Sequence, residues 1–174
     1  MNTANKLTLL RVAMIPLFLL VLYLDVPGAN YWALAIFVIA SLTDTLDGYI
    51  ARHYNQTTDF GKFMDPLADK ILVLASMIWF CSVGSLPAWV LVIVVAREFA
   101  VSGLRLVAVD NGRVIAAAWS GKVKTFSTMV CLCLMHLPIP QPLVWVCVAV
   151  IAVTTLYSGV EYFVKNRDVL NWNK

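Results

Sequence analysis

Six long apolar runs dominate this chain: Leu9–Leu24, Tyr31–Leu46, Leu67–Val83, Leu86–Val109, Val114–Leu137 and Leu143–Val164. Each meets or nearly meets the roughly 20 residues that a helix needs to cross a bilayer. No two-residue alternation, Gly/Ser linker or internal repeat interrupts them, so the pattern predicts helices joined by short turns within one domain, 1–174. A water-soluble alternative would need a polar exterior. With 61% hydrophobic and 13% charged residues, against about 45–50% and about 25% in soluble domains, the chain cannot supply one. Disorder and nucleic-acid binding are excluded for the same reason. The expected fold class is all-α integral membrane.

The basic residues set the orientation. With the N-terminus in the cytoplasm, the outer turns are Val26–Asn30, Ser82–Pro87 and Leu137–Pro142, and none holds Lys or Arg. All 13 basic residues then fall at inner ends or loops. Pro27, Pro87, Pro138, Pro140 and Pro142 sit in or at the outer turns, where a missing N–H does no harm. This predicts six transmembrane helices, both termini cytoplasmic, with a short N-terminal juxtamembrane segment. The first run follows a basic residue or two, as in a signal peptide, but no clear small-x-small cleavage site closes it, and it reads as a retained span. Tyr31, Trp32, Trp89 and Trp172 read as interfacial anchors. Cys81, Cys131, Cys133 and Cys147 read as core packing, since Cys131 and Cys133 would point to roughly opposite sides of a helix.

The chemistry concentrates between the second and third runs. Residues 44–69 read D-x2-D-G-x2-A-R-x8-G-x3-D-x3-D, filled by Asp44, Asp47, Gly48, Ala51, Arg52, Gly61, Asp65 and Asp69. The spacing i, i+3, i+4, i+7 puts Asp44, Asp47, Gly48 and Ala51 along one helix face, and Asp65 and Asp69, at i and i+4, share a face of the next. As antiparallel neighbours these helices can bring four carboxylates to one inner mouth. Four such groups cannot all stay ionised unaided, because like charges repel and burial disfavours the charged form. A pair of divalent cations would cancel their charge, and oxygen-only ligands point to Mg²⁺ or Mn²⁺ over zinc. Gly48 and Ala51 leave room for a phosphate-like group, and Arg52 offers a planar fork for an anion. The set suits phosphoryl transfer.

These eight residues fill the signature of the CDP-alcohol phosphotransferases, and the chain resembles that family of integral membrane enzymes. The resemblance implies a six-helix, usually homodimeric membrane fold with two metals and a cytidine-nucleotide site on the cytoplasmic side. It implies that Asp44, Asp47 and Asp65 hold one metal and Asp44, Asp65 and Asp69 the other, with Asp69 also the general base. Gly48, Ala51, Arg52, Thr58 and Gly61 would line the CDP pocket. Further stretches resemble the phosphatidylglycerophosphate synthase branch: Asn5 to Arg11, Arg97 to Arg105, Gly121 to Thr125 and Ser158 to Phe163. That branch condenses CDP-diacylglycerol with sn-glycerol 3-phosphate, and the resemblance implies residence in a bacterial cytoplasmic membrane.

An acceptor bearing a phosphate dianion needs more cationic ligands than a neutral alcohol. Arg97, Arg105, Lys122 and Lys124 lie at the inner ends of the fourth and fifth runs, and Arg97 is embedded among apolar residues beside Glu98. Arg105, eight residues on, lies about 80° around a helix from Arg97 and can face the same cavity from a shallower depth. Lys122 and Lys124 point to different sides of a helix, so one is expected to face inward. His53 and His136 read as non-catalytic. Other acceptors, inositol phosphate or serine, are used by relatives with the same signature. A small cation carrier would need its acids near the bilayer midplane, and a membrane scaffold would leave the aspartates without a task.

Overall fold

The computed structural model describes residues 3–24, 26–53, 59–116 and 118–169. Within its helices, the side chains of residues 3–8, 44–53, 59–63, 65, 66 and 69 lie outside the description. The element order is α1 (Thr3–Tyr23), α2 (Ala29–His53), α3 (Asp59–Ser82), α4 (Ala88–Asp110), α5 (Trp119–Met135) and α6 (Gln141–Lys165), followed by a short 3-10 helix, Arg167–Val169. No strand occurs among the described residues. The chain divides into two compact units, Met1–Ser82 with His136–Pro138, and Val83–Met135 with Ile139–Lys174.

In the first unit, α1 packs against α2 and α3. The buried side chains fall at helical spacing: Arg11, Ile15, Phe18 and Leu22 on α1, and Ala33, Phe37 and Ala40 on α2. Gly28, at φ +75°, turns the chain before α2, and its carbonyl accepts from the N–H groups of Tyr31 and Trp32. That left-handed conformation strains any residue with a Cβ. His136 belongs to this unit and is 1% exposed. Its ring sits 4.7 Å from Phe80 and 5.7 Å from Phe18, centroid to centroid, and its Nε2 lies 3.2 Å from Ser76 Oγ. A buried, aromatic-packed imidazole fits the expected non-catalytic role. His53 falls among the residues whose side chains are not described.

In the second unit, α6 packs against α4 and α5. Val90, Val94, Val101, Leu104 and Ala108 form the buried stripe of α4, stepping by four and three with Arg97 in the remaining slot. On α6 the same rhythm runs Val144, Val148, Ile151, Thr155, Ser158 and Tyr162. Extended prolines, Pro87 and Pro140, start α4 and α6, as their missing N–H groups allow. Past α6, Arg113 donates to Asp168 and this bond holds that carboxyl below the ordinary carboxylate range.

The fifth apolar run was expected to be helical from Val114, but α5 starts only at Trp119. Gly112, at φ +69°, closes α4, and Arg113 N–H donates back to the Ala108 carbonyl at 2.8 Å. The chain then leaves the helix with Val114 86% exposed. Ile115 and Ala118 pack instead on Val101, Leu104 and Tyr162. Apolar character here serves side-chain packing of a connecting segment.

Among the described residues, α6 alone is long and apolar enough to cross a membrane by length and composition, with a mean hydropathy of 2.1. Leu9–Tyr23, Ala29–Thr43 and Lys70–Ser82 are shorter apolar helical stretches. Helix α4 is interrupted by Arg97, Glu98 and Arg105, and α5 has 17 residues. Leu20, Val92, Phe99, Phe126, Val153 and Val160 are exposed, so much of the outward surface of these helices is apolar. Tyr31, Trp32 and Trp89 are exposed near the starts of α2 and α4, whereas Trp172 lies outside the described residues. The four cysteines are free, Cys131 and Cys147 buried.

Candidate active site

The acidic motif divides between two helices of the first unit. Asp44, Asp47, Gly48, Ala51 and Arg52 occupy the last turns of α2, and Gly61, Asp65 and Asp69 the opening turns of α3. The register is helical at both ends, so the i, i+3 and i, i+4 spacings place each aspartate pair on one helix face. His53 ends α2 and Asp59 begins α3, so the two halves of the motif lie on consecutive helices. The carboxylates themselves lie outside the described side chains, and Thr58 outside the described residues altogether. The donor set is oxygen only, and two acids per face fit hard divalent cations. Arg11 is fully buried in the same unit, within the stripe of α1.

The basic residues occupy the second unit, where the side chains are described. Arg97 Nη1 donates to Glu98 Oε1 at 2.9 Å, and Lys124 Nζ donates to the same oxygen at 2.8 Å. Arg97 Nη2 donates to Ser158 Oγ on α6 at 2.6 Å. Arg97 and Lys124 expose 11% and 6% of their side chains, so these are charge-assisted bonds in a largely dry setting, stronger than their surface counterparts. One turn along α6 from Ser158, the Tyr162 hydroxyl accepts from Arg105 Nε at 2.7 Å, and the Arg105 guanidinium lies 5.4 Å from the Tyr162 ring centroid. Arg105 is itself exposed. Arg97 and Arg105 thus meet successive hydroxyls on one face of α6.

Lys124 is the lysine that faces inward. It occupies the buried stripe Ser120, Lys124, Thr128, Cys131 and Met135. Lys122 is exposed, its ammonium 5.9 Å from the Trp119 ring centroid, and takes no part in the Arg97 network. Two glycines make room for the arginine. A Cβ on Gly159 would stand 3.3 Å from Arg97 Cγ, and one on Gly121 would stand 3.4 Å from Arg97 Nη2.

Sequence reasoning singled out the cations but not what holds them. Glu98 was noted only as a neighbour of Arg97, and Ser158, Tyr162, Gly121 and Gly159 only as parts of longer stretches. A usable signal was present for Arg97, which interrupts the four-three apolar stripe of α4, where burial of a polar group demands a partner; Lys124 and Ser158 sit on buried stripes that carry other polar residues, Ser120 and Thr128 on α5 and Thr155 on α6. The partners could not be read, because they come from other helices.

The family model of the CDP-alcohol phosphatidyltransferases matches residues 1–160. The CDP-diacylglycerol–glycerol-3-phosphate 3-phosphatidyltransferase of Bacillus subtilis (strain 168) is 40% identical, with 97% of each chain covered. The protein of that name from Escherichia coli (strain K12) is also 40% identical, over 98% of each chain. A probable phosphatidylglycerophosphate synthase of Mycobacterium tuberculosis (strain ATCC 25618 / H37Rv) is 43% identical over 97% of this chain and 83% of its own. Likeness that runs through both units and both charged clusters leaves one assignment: the chain belongs to the CDP-alcohol phosphatidyltransferase family.

Proposed function

We propose that this protein transfers the phosphatidyl group of CDP-diacylglycerol to sn-glycerol 3-phosphate, giving phosphatidylglycerophosphate and CMP in anionic phospholipid synthesis. The observation that carries this is the near-complete coverage of relatives that bear that activity in their names. The buried pair Arg97 and Lys124 supports the acceptor, since the two cations share the single Glu98 carboxylate and a neutral alcohol would leave one of their positive charges unmatched.

Asp44, Asp47, Asp65 and Asp69 would hold two divalent cations, most simply Mg²⁺. When bound, these cations would offset negative charge on the diphosphate. Gly48, Ala51, Arg52, Thr58 and Gly61 line the CDP pocket, where the small residues admit the nucleotide and Arg52 faces its phosphates. Arg97, Arg105 and Lys124 bind the acceptor phosphate. Of the four expected cations Lys122 has the weakest support, being exposed over Trp119. Asp69 takes the proton of the attacking hydroxyl, the new P–O bond forms, and the bond to CMP breaks.

The same reading takes the chain as one domain of six membrane spans in a bacterial cytoplasmic membrane, both termini and the site on the cytoplasmic side, assembled as a homodimer. In its support, Arg and Lys are absent from the three outer turns, and one family model runs through both units.

The test is an assay of purified protein in detergent with CDP-diacylglycerol, Mg²⁺ and a panel of acceptors. Metal-dependent CMP release that requires glycerol 3-phosphate is expected. Product with another alcohol but none with glycerol 3-phosphate would overturn the acceptor and leave the family untouched.

A further inference from the structure

Arg97 and Lys124 are like charges on different helices, both largely buried, and both donate to one oxygen, Oε1 of Glu98. Their nitrogens are therefore at most about 5.7 Å apart, the 2.9 and 2.8 Å bonds laid end to end. A single phosphate group can span that gap with two N–H···O bonds. Left alone, two cations this close in a dry site would repel and swing apart. The carboxylate removes that repulsion before any ligand arrives.

We propose that Glu98 is a positioning and specificity-determining residue, which holds Arg97 and Lys124 as a preassembled two-cation clamp for the acceptor's phosphate, with Ser158 fixing the outer edge of the guanidinium. This rests on the acceptor-phosphate reading above and deepens it. Three observations carry it. Ser158 and Glu98 take different nitrogens of Arg97, so its plane is pinned at two points. Arg97 Nε is buried with no partner among the described residues, and an unused donor in such a place is costly unless a ligand takes it. The charges also match among the described residues of this cluster. Arg97 and Lys124 less Glu98 leave one positive charge. Arg105, bound to the Tyr162 hydroxyl, brings the total to two, the complement of a phosphomonoester near pH 7.

Purely electrostatic action and positioning predict opposite signs. If Glu98 mattered only as a negative charge near a phosphate, Glu98→Gln would lower KM for glycerol 3-phosphate. As a positioning group, its loss raises that KM.

The experiment measures kcat and both KM values in detergent for Arg97→Ala, Glu98→Gln, Glu98→Asp and Ser158→Ala. Arg97→Ala and Glu98→Gln are expected to raise KM for glycerol 3-phosphate about tenfold or more, and Ser158→Ala about fivefold, with KM for CDP-diacylglycerol within about twofold of wild type. Glu98→Asp, which keeps the charge on a shorter arm, should recover part of the loss. A high KM in Arg97→Ala beside an unchanged or lowered KM in Glu98→Gln overturns the clamp and leaves the acceptor site standing. An unchanged KM in Arg97→Ala overturns the acceptor reading itself. If Glu98→Gln does not fold, Ser158→Ala and Glu98→Asp decide, and an unchanged KM in both overturns the clamp.

Discussion

Gly159→Ala separates stability from function, because the two effects have different sources. The added Cβ would stand 3.3 Å from Arg97 Cγ, so the arginine stem must retreat by a few tenths of an ångström. The retreat carries the guanidinium away from Ser158 Oγ and Glu98 Oε1, now 2.6 and 2.9 Å distant. A bond to a charged group contributes about 1.5–3 kcal/mol, and weakening one of them by roughly half costs about 1 kcal/mol. If that cost falls on the clamp geometry, KM for glycerol 3-phosphate rises about fivefold. Stability should move the other way or hold, since alanine is favoured over glycine within a helix by up to about 1 kcal/mol. The assay pairs steady-state kinetics with thermal unfolding in the same detergent. A folded variant of unchanged Tm and unchanged acceptor KM would refute the reasoning, because the stem of Arg97 would then not govern where its guanidinium sits.

Other expectations follow from burial and register. Lys124→Ala should raise acceptor KM about tenfold whereas Lys122→Ala stays within about twofold, and the reverse order would put the wrong face of α5 inward. His136→Ala removes a ring 1% exposed and packed on Phe18, Phe37 and Phe80. It should cost about 2–4 kcal/mol in a detergent unfolding titration while kcat/KM of the folded protein is kept; a change under about 0.5 kcal/mol would show that the site collapses without loss. Asp69→Asn should lower kcat by about 10²–10⁴, and a fully active variant would remove it as the base. Chelation of divalent cations by EDTA should abolish CMP release and added Mg²⁺ restore it; activity that persists in EDTA would rule out the cation pair.

Helix number was legible because apolar runs near bilayer length leave the backbone few choices, and turns marked by proline or glycine punctuate them. Helix ends were less so. Val114 to Ala118 looked like helix by hydropathy, yet Gly112 breaks the backbone there and Ile115 and Ala118 are used as packing surface. Of the acidic motif only the helical register was legible and is seen in the structure, since the i, i+3 and i, i+4 spacings on α2 and α3 follow from local helix geometry alone. The basic site was legible only as a set of candidate cations. Lys122 and Lys124 are equivalent in composition and two residues apart, and their difference is which side of α5 meets the rest of its unit.

By itself the sequence determined what short-range rules control: all-helical structure, the punctuation of its turns, the sparing use of charge and the aspartate register on α2 and α3. The tertiary structure decided what depends on residues far apart in the chain. It joined Glu98 to Lys124 across 26 positions and Arg97 to Ser158 across 61, and it buried His136 among the rings of the first unit. A buried charge must find its partner in three dimensions, and sequence spacing does not say which helix will bring it.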